Sequence, residues 1–257
     1  MAAIVETTVD EFHVALLQLN RPEARNALSP EMKERLIGEL ERLDADPEVR
    51  CMVIAGSAQT FAAGADIKAL AERSLDTHAD PEAAAFWTRL AAIETPLVAA
   101  VSGYALGGGC ELALACDMVV ADKDARFGLP EVTLGIIPGG GGSQRLARVI
   151  GKQRAMEFVL TGRRFDAEMA AGWGLVNKTS RRGAWLDDAI ELARTVAARP
   201  PIATRLAKRA VLAAEETSLS EGLAAERRLF DEAMATEDRV EGMQAFLEKR
   251  EPDFKGR

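Results

Sequence analysis

Histidine is nearly absent: the 257 residues contain two, His13 and His78. His13 alternates with apolar residues in a strand-like run and His78 lies in a polar stretch, so a Ser–His–Asp triad has little to build on. Acid–base chemistry therefore falls to carboxylates. Cysteine is equally scarce. Cys51, Cys110 and Cys116 are odd in number and set among apolar residues, which suits reduced thiols and matches no metal-ligand spacing. No apolar run reaches the ~18 residues of a membrane span, and residues 1–10 lack the basic start and apolar core of a signal peptide. The expectation is a cytoplasmic protein with no membrane partner. Basic charge is in deficit, with 32 Lys and Arg against 40 Asp and Glu and a net charge of −8. That argues against nucleic acid as a partner, and the pairs Arg163-Arg164 and Arg181-Arg182 read as solvated surface.

Glycine and small apolar residues are abundant and unevenly placed. The stretch Tyr104-Ala105-Leu106-Gly107-Gly108-Gly109-Cys110-Glu111 runs three glycines into an apolar segment whose first charge is Glu111. A helix starting at the third glycine leaves unpaired N–H groups where backbone can approach a ligand closely. Such an end favours negative charge, and if the charge develops during a reaction the site is an oxyanion hole. Gly56 to Asp66 repeats the order strand, small-residue turn, helix, and Gly139-Gly140-Gly141-Gly142 opens another helix. No lysine follows as in a P-loop.

In chain order, Ile4–Val9 and Phe12–Leu19 read as a hairpin turning at Asp10-Glu11. Asn20 to Leu28 is a proline-broken loop, and Ser29-Pro30-Glu31 caps a helix to about Ala45. Strands are predicted over 50–55, 97–101 and 117–121, with a polar loop over 72–80. A helix starting at Asp80-Pro81-Glu82 carries Phe86, Trp87, Leu90 and Ile93 on one face. Glu131 is enclosed by Leu129, Pro130, Val132 and Leu134, an unusual setting for an acid. From Lys152 onward the pattern is almost all helix, with a capping box at Ser218 and Glu221. Repeated strand–turn–helix units predict an α/β spiral. We divide the chain into a catalytic domain over 1–198 and a helical oligomerisation region over 199–257.

Phe61 to Ile67, Tyr104 to Glu111, Phe127 to Glu131, and Leu134 to Gly142 with Gln144-Arg145-Leu146 together resemble the enoyl-CoA hydratase/isomerase (crotonase) family. The likeness runs from the Arg21-Pro22 loop to Arg250. It implies a crotonase-like ββα spiral and an acyl-CoA substrate, with coenzyme A part of the substrate and no separate cofactor. By motif the oxyanion-hole N–H groups fall on Ala65 and Gly108, and the two catalytic glutamates on Glu111 and Glu131. Substrate contacts fall on Ala24, Arg25, Ala63, Asp66, Ile67, Lys68, Gly107, Pro130 and Gly139, with Phe246 and Lys249 on the last helix. Retention of both glutamates favours hydration of a 2-enoyl-CoA over the isomerase, dehalogenase and thioesterase chemistries of the family, and over a non-catalytic acyl-CoA or RNA-binding relative. Leu129 stands where some hydratases carry a polar side chain. Glu111, near a helix N-terminus, is expected to stay ionised, and Glu131 to be pushed toward protonation. The resemblance also implies a homotrimer or homohexamer.

Overall fold

The computed structural model describes residues 3–72 and 81–257. Strands β1 (Val5–Val9) and β2 (Val14–Leu19) form the expected antiparallel hairpin. Its turn is longer than the sequence suggested. Asp10 accepts the N–H groups of Phe12 and Val14 on its side chain, and His13 takes φ 65°, so Phe12 and His13 belong to the turn. Helix α1 (Pro30–Asp44) is capped by the Ser29 hydroxyl, which accepts the Met32 N–H, and buries Met32, Leu36, Ile37, Leu40 and Leu43.

The chain continues as β3 (Cys51–Ala55), β4 (Thr60–Ala62), α2 (Ile67–Ala71), α3 (Pro81–Ala91), β5 (Leu97–Val101) and β6 (Tyr104–Leu106). Then follow α4 (Gly108–Ala115), β7 (Met118–Asp122), β8 (Arg126–Gly128), α5 (Gly142–Ile150), α6 (Lys152–Thr161), β9 (Arg164–Asp166) and α7 (Ala167–Gly172). The remaining elements are β10 (Lys178–Ser180), α8 (Trp185–Ala197), α9 (Pro201–Glu216), α10 (Leu219–Met234) and α11 (Glu237–Glu248). Residues 73–80 of the loop expected over 72–80, with His78 and the cap at Asp80, lie outside the described residues.

Two sheets organise these elements. One has the order β1-β2-β3-β5-β7-β10 and is parallel from β2 onward. Strands β3 and β5 are buried along their whole length, which is why they read as unbroken apolar runs. The second sheet, β4-β6-β8-β9, was not foreseen. Each of its strands has three residues, too few for a period of two to register, and the sequence shows only the small residues around them. Helix α8 covers one face of the larger sheet, with Trp185, Ala189, Ala193 and Ala197 against Val53, Val98 and Val120. The opposite face shares one core with α1, α3, α4 and the smaller sheet, including Phe61, Phe127 and Phe165.

The C-terminal helices attach through polar ties. On α9, Arg205 donates to the Asp44 carbonyl and Thr95 hydroxyl, and Lys208 pairs with Asp117 at 2.8 Å. Asp238 on α11 is buried and accepts the N–H groups of Lys255 and Gly256, lacing residues 251–257 back across the helix.

Candidate active site

Strands β4 and β6 are parallel neighbours, and each delivers the chain to a glycine-bearing turn. After β4, Gly64 takes φ 115°, and after β6, Gly107 takes φ 51° and ψ −126°. Helix α4 starts one residue earlier than expected, at Gly108, whose N–H therefore has no partner within the helix. A Cβ added to Gly108 would stand 3.5 Å from the Ala65 nitrogen, and one added to Gly64 would stand 3.9 Å from the Gly108 nitrogen. The nitrogens of Ala65 and Gly108 thus border one small space.

The loop over 20–28 sets this turn. Asn26 is buried at φ 55°, donates through Nδ2 to the carbonyls of Thr60 and Phe61, and accepts the Arg21 N–H on Oδ1. Leu28 N–H donates to the Gly64 carbonyl at 2.7 Å and Ala63 N–H to the Arg25 carbonyl at 3.1 Å. Sequence reading treated Asn26 as part of a loop. In sequence it is one of two amides, Asn20 and Asn26, in a short loop, a pattern that many solvent-facing turns also show.

Glu111 lies on the first turn of α4 and is buried. Its Oε1 accepts the N–H groups of Gly140 at 2.7 Å and Gly142 at 2.8 Å. The tetraglycine run is therefore part of the site. A Cβ on Gly142 would fall 3.0 Å from Glu111 Oε1, and one on Gly140 would strike the Trp87 indole at 2.2 Å. Trp87 is half-buried and packs both against the core and on this loop. Burial pushes the Glu111 pKa up, and the Gly142 and Gly140 N–H groups and the Arg145 charge pull it back only partly. The expectation from the helix N-terminus alone left out this desolvation.

Glu131 begins a 3₁₀ turn over Glu131–Leu134. Its Oε2 is buried with no hydrogen-bond partner among the described residues. Burial raises its pKa to about 7, with a further push from Glu111. The enclosure differs from that expected: Leu134 is 57 % exposed, whereas Leu129 is fully buried and Gly107 lies against the carboxylate. Two carboxylates thus flank two convergent N–H groups, one held by donors and the other left with a free oxygen.

The sequence model described as enoyl-CoA hydratase/isomerase matches residues 10–257. The chain belongs to the enoyl-CoA hydratase/isomerase family. It is 50 % identical over 244 residues to a 2,3-dehydroadipyl-CoA hydratase of Escherichia coli K12, covering 95 % of this chain and 96 % of that one. It is 45 % identical to a mitochondrial enoyl-CoA hydratase of Pongo abelii over 94 % of this chain and 83 % of that one. The crystal structure of an enoyl-CoA hydratase from Bacillus anthracis superposes with a TM-score of 0.94 at 38 % identity, covering 99 % of this chain and 100 % of that one.

The other residues that the family resemblance pointed to are distributed unevenly. Ala63, Gly107 and Pro130 lie beside the two turns and Glu131. Ala24 and Arg25 end a short 3₁₀ turn whose last residue takes φ 51°, and Ile67 and Lys68 are exposed at the start of α2. The Asp66 side chain caps α2 and pairs with Arg21 at 2.9 Å, which holds its carboxyl below the usual range. Gly139 is exposed at the mouth of the tetraglycine run. Phe246 and Lys249, on and just after α11, stand outside this hydrogen-bonded cluster, with Phe246 82 % exposed.

Proposed function

We propose that the chain adds water across the 2,3 double bond of a 2-enoyl-CoA to give a 3-hydroxyacyl-CoA, with Ala65 and Gly108 as oxyanion donors and Glu111 and Glu131 as the catalytic pair. The observation that carries this reading is the unequal treatment of the two carboxylates beside the shared N–H groups. Donors at the thioester oxygen stabilise the enolate that forms as the nucleophile adds, and one such donor is worth roughly 3 kcal/mol of barrier. Glu111, held through one oxygen, orients a water and takes one of its protons while the hydroxyl bonds to C3. Glu131, protonated because it is desolvated, gives its proton to C2. The proton left on Glu111 returns to Glu131 through solvent before the next turnover, so the net change is one water added.

Support for self-association comes from apolar side chains left exposed on the helices: Val211, Leu219, Phe230 and Met243 on α9 to α11, and Leu160 on α6. We read them as the contact face of a homotrimer or homohexamer. Sedimentation equilibrium tests that assembly. The activity test follows the loss of enoyl-thioester absorbance with crotonyl-CoA, longer 2-enoyl-CoA chains and 2,3-dehydroadipyl-CoA. Turnover that vanishes in both Glu111→Gln and Glu131→Gln supports the assignment. Full turnover in either variant overturns that residue's role.

A further inference from the structure

We propose that Arg145 is a positioning residue for the water-orienting carboxylate: its guanidinium fixes the one peptide unit that lies between the two N–H groups holding Glu111. The proposal rests on the reading of Glu111 as the base. Gly140 and Gly142 donate to Glu111 Oε1 from peptides 139–140 and 141–142, and the peptide between them presents the Gly140 carbonyl. Arg145 Nη1 donates to that carbonyl at 2.9 Å. The side chain folds back over its own helix start: a Cβ on Gly141, which takes φ 98°, would fall 2.3 Å from Nη1. Gly140 is thereby gripped on three sides, with its N–H on Glu111, its carbonyl on Arg145 and its Cα face against the Trp87 indole.

A run of four glycines has no side chains with which to hold its own shape, and glycine forfeits more backbone freedom on ordering than any other residue. If the 140–141 peptide rotates, both flanking N–H groups turn away from Glu111 and the carboxylate loses its aim. The charged group that acts on Glu111 is Arg145 from α5, and Glu111 in turn acts on its titratable neighbours Glu131, from the 3₁₀ turn, and the buried Cys110 thiol on α4. Arg145 supplies the positive charge among them, and its loss favours the protonated form of Glu111.

The test compares Arg145→Met and Arg145→Lys in the full-length protein, with Glu111→Gln alongside. In R145M, kcat for crotonyl-CoA should fall about 100-fold, the scale of a misplaced reacting group, with KM within about twofold of the parent. The acidic limb of the kcat/KM profile should move to higher pH. R145K, which restores a charged donor, should recover kcat to within about tenfold of the parent, since lysine replaces arginine only as a point charge. A folded R145M with the parent's kcat and acidic limb, beside an inactive E111Q, overturns the positioning role alone. An active E111Q overturns the reading of Glu111 beneath it. Should R145M not fold, Arg145→Gln takes the guanidinium off the Gly140 carbonyl, and the parent's kcat together with an acidic limb left in place in that variant overturns the proposal.

Discussion

Gly107 lies against the Glu131 carboxylate: a Cβ on its backbone would stand 3.2 Å from Oε1 and 3.6 Å from Cδ. The residue also holds φ 51° and ψ −126°, which side-chain-bearing residues avoid. Gly107→Ala therefore combines strain with displacement of the acid. We expect a stability loss of about 1–3 kcal/mol and a fall in kcat larger than the loss of folded protein explains. Thermal melting and active-site titration on the same sample separate the two.

The two carboxylates predict a pH profile of definite sign. In the proposed mechanism hydration needs Glu111 ionised and Glu131 protonated, and burial pushes the Glu131 pKa up to about 7. The kcat/KM for crotonyl-CoA should fall on the alkaline side from near neutrality. Its acidic limb should lie above that of an ordinary carboxylate, because burial raises the Glu111 pKa as well. The limbs belong to the interacting pair rather than to one residue. Glu131→Gln should cost about 10²–10⁴ in kcat. A profile still rising at pH 9 would contradict the role of Glu131.

The same shift has a stability counterpart. Between the ordinary carboxylate value of 4.5 and about 7, folded Glu131 binds more proton than unfolded Glu131, so stability falls as pH rises through that window. Glu131→Gln, which cannot ionise, should melt higher than the parent at pH 8, with the difference shrinking toward pH 5. Equal melting shifts at the two pH values would show that burial does not hold this proton.

Asn26 ties the 20–28 loop to β4 through two hydrogen bonds, to the Thr60 and Phe61 carbonyls, and braces the loop itself by accepting the Arg21 N–H. Asn26→Ala leaves the carbonyls of Thr60 and Phe61 and the Arg21 N–H without that partner. A loss of about 2 kcal/mol corresponds to a melting point lower by roughly 6 °C for a chain of this size. KM for crotonyl-CoA should rise, because the loop also fixes the Ala65 turn through Leu28. Asn26→Ala melting at the parent's temperature would remove the loop from that role.

Asp238 should be the anchor of residues 251–257. Asp238→Ala removes both acceptors for Lys255 and Gly256, so trypsin should cut after Arg250 or Lys255 faster than in the parent, seen by mass spectrometry of timed digests. Unchanged cutting rates would place the anchor elsewhere, for instance at the Phe254 carbonyl, which accepts from Arg50.

Much of the site was legible because its parts are local. Glu111 stands one turn from a glycine run and Glu131 among apolar neighbours, so each looked anomalous for its own surroundings. The larger sheet was legible for a similar reason, since strands buried on both faces leave apolar runs such as Leu97–Val101. What escaped was non-local. The smaller sheet is made of three-residue strands that show only when paired. That the tetraglycine run serves Glu111 depends on a contact across 29 residues and 31 residues of chain. Trp87 carries a helical stripe's signature yet ends against Gly140, because the period says which face a residue shares and not what that face meets. The Glu111 pKa was legible only in part: a helix terminus is visible in sequence, whereas the depth of burial that opposes it is not.

The adjacency of β4 and β6 has one more implication. Because the turns carrying Ala65 and Gly108 leave neighbouring parallel strands, the separation of the two turns starts from inter-strand spacing, about 4.8 Å in any sheet. That spacing is a property of the polypeptide and not of its side chains. Substitution can therefore exchange the acids, reshape the acyl wall or retune proton affinities while the calliper proposed to hold the thioester oxygen keeps its jaw width. An enzyme built this way can diverge in chemistry without relearning how to grip its substrate.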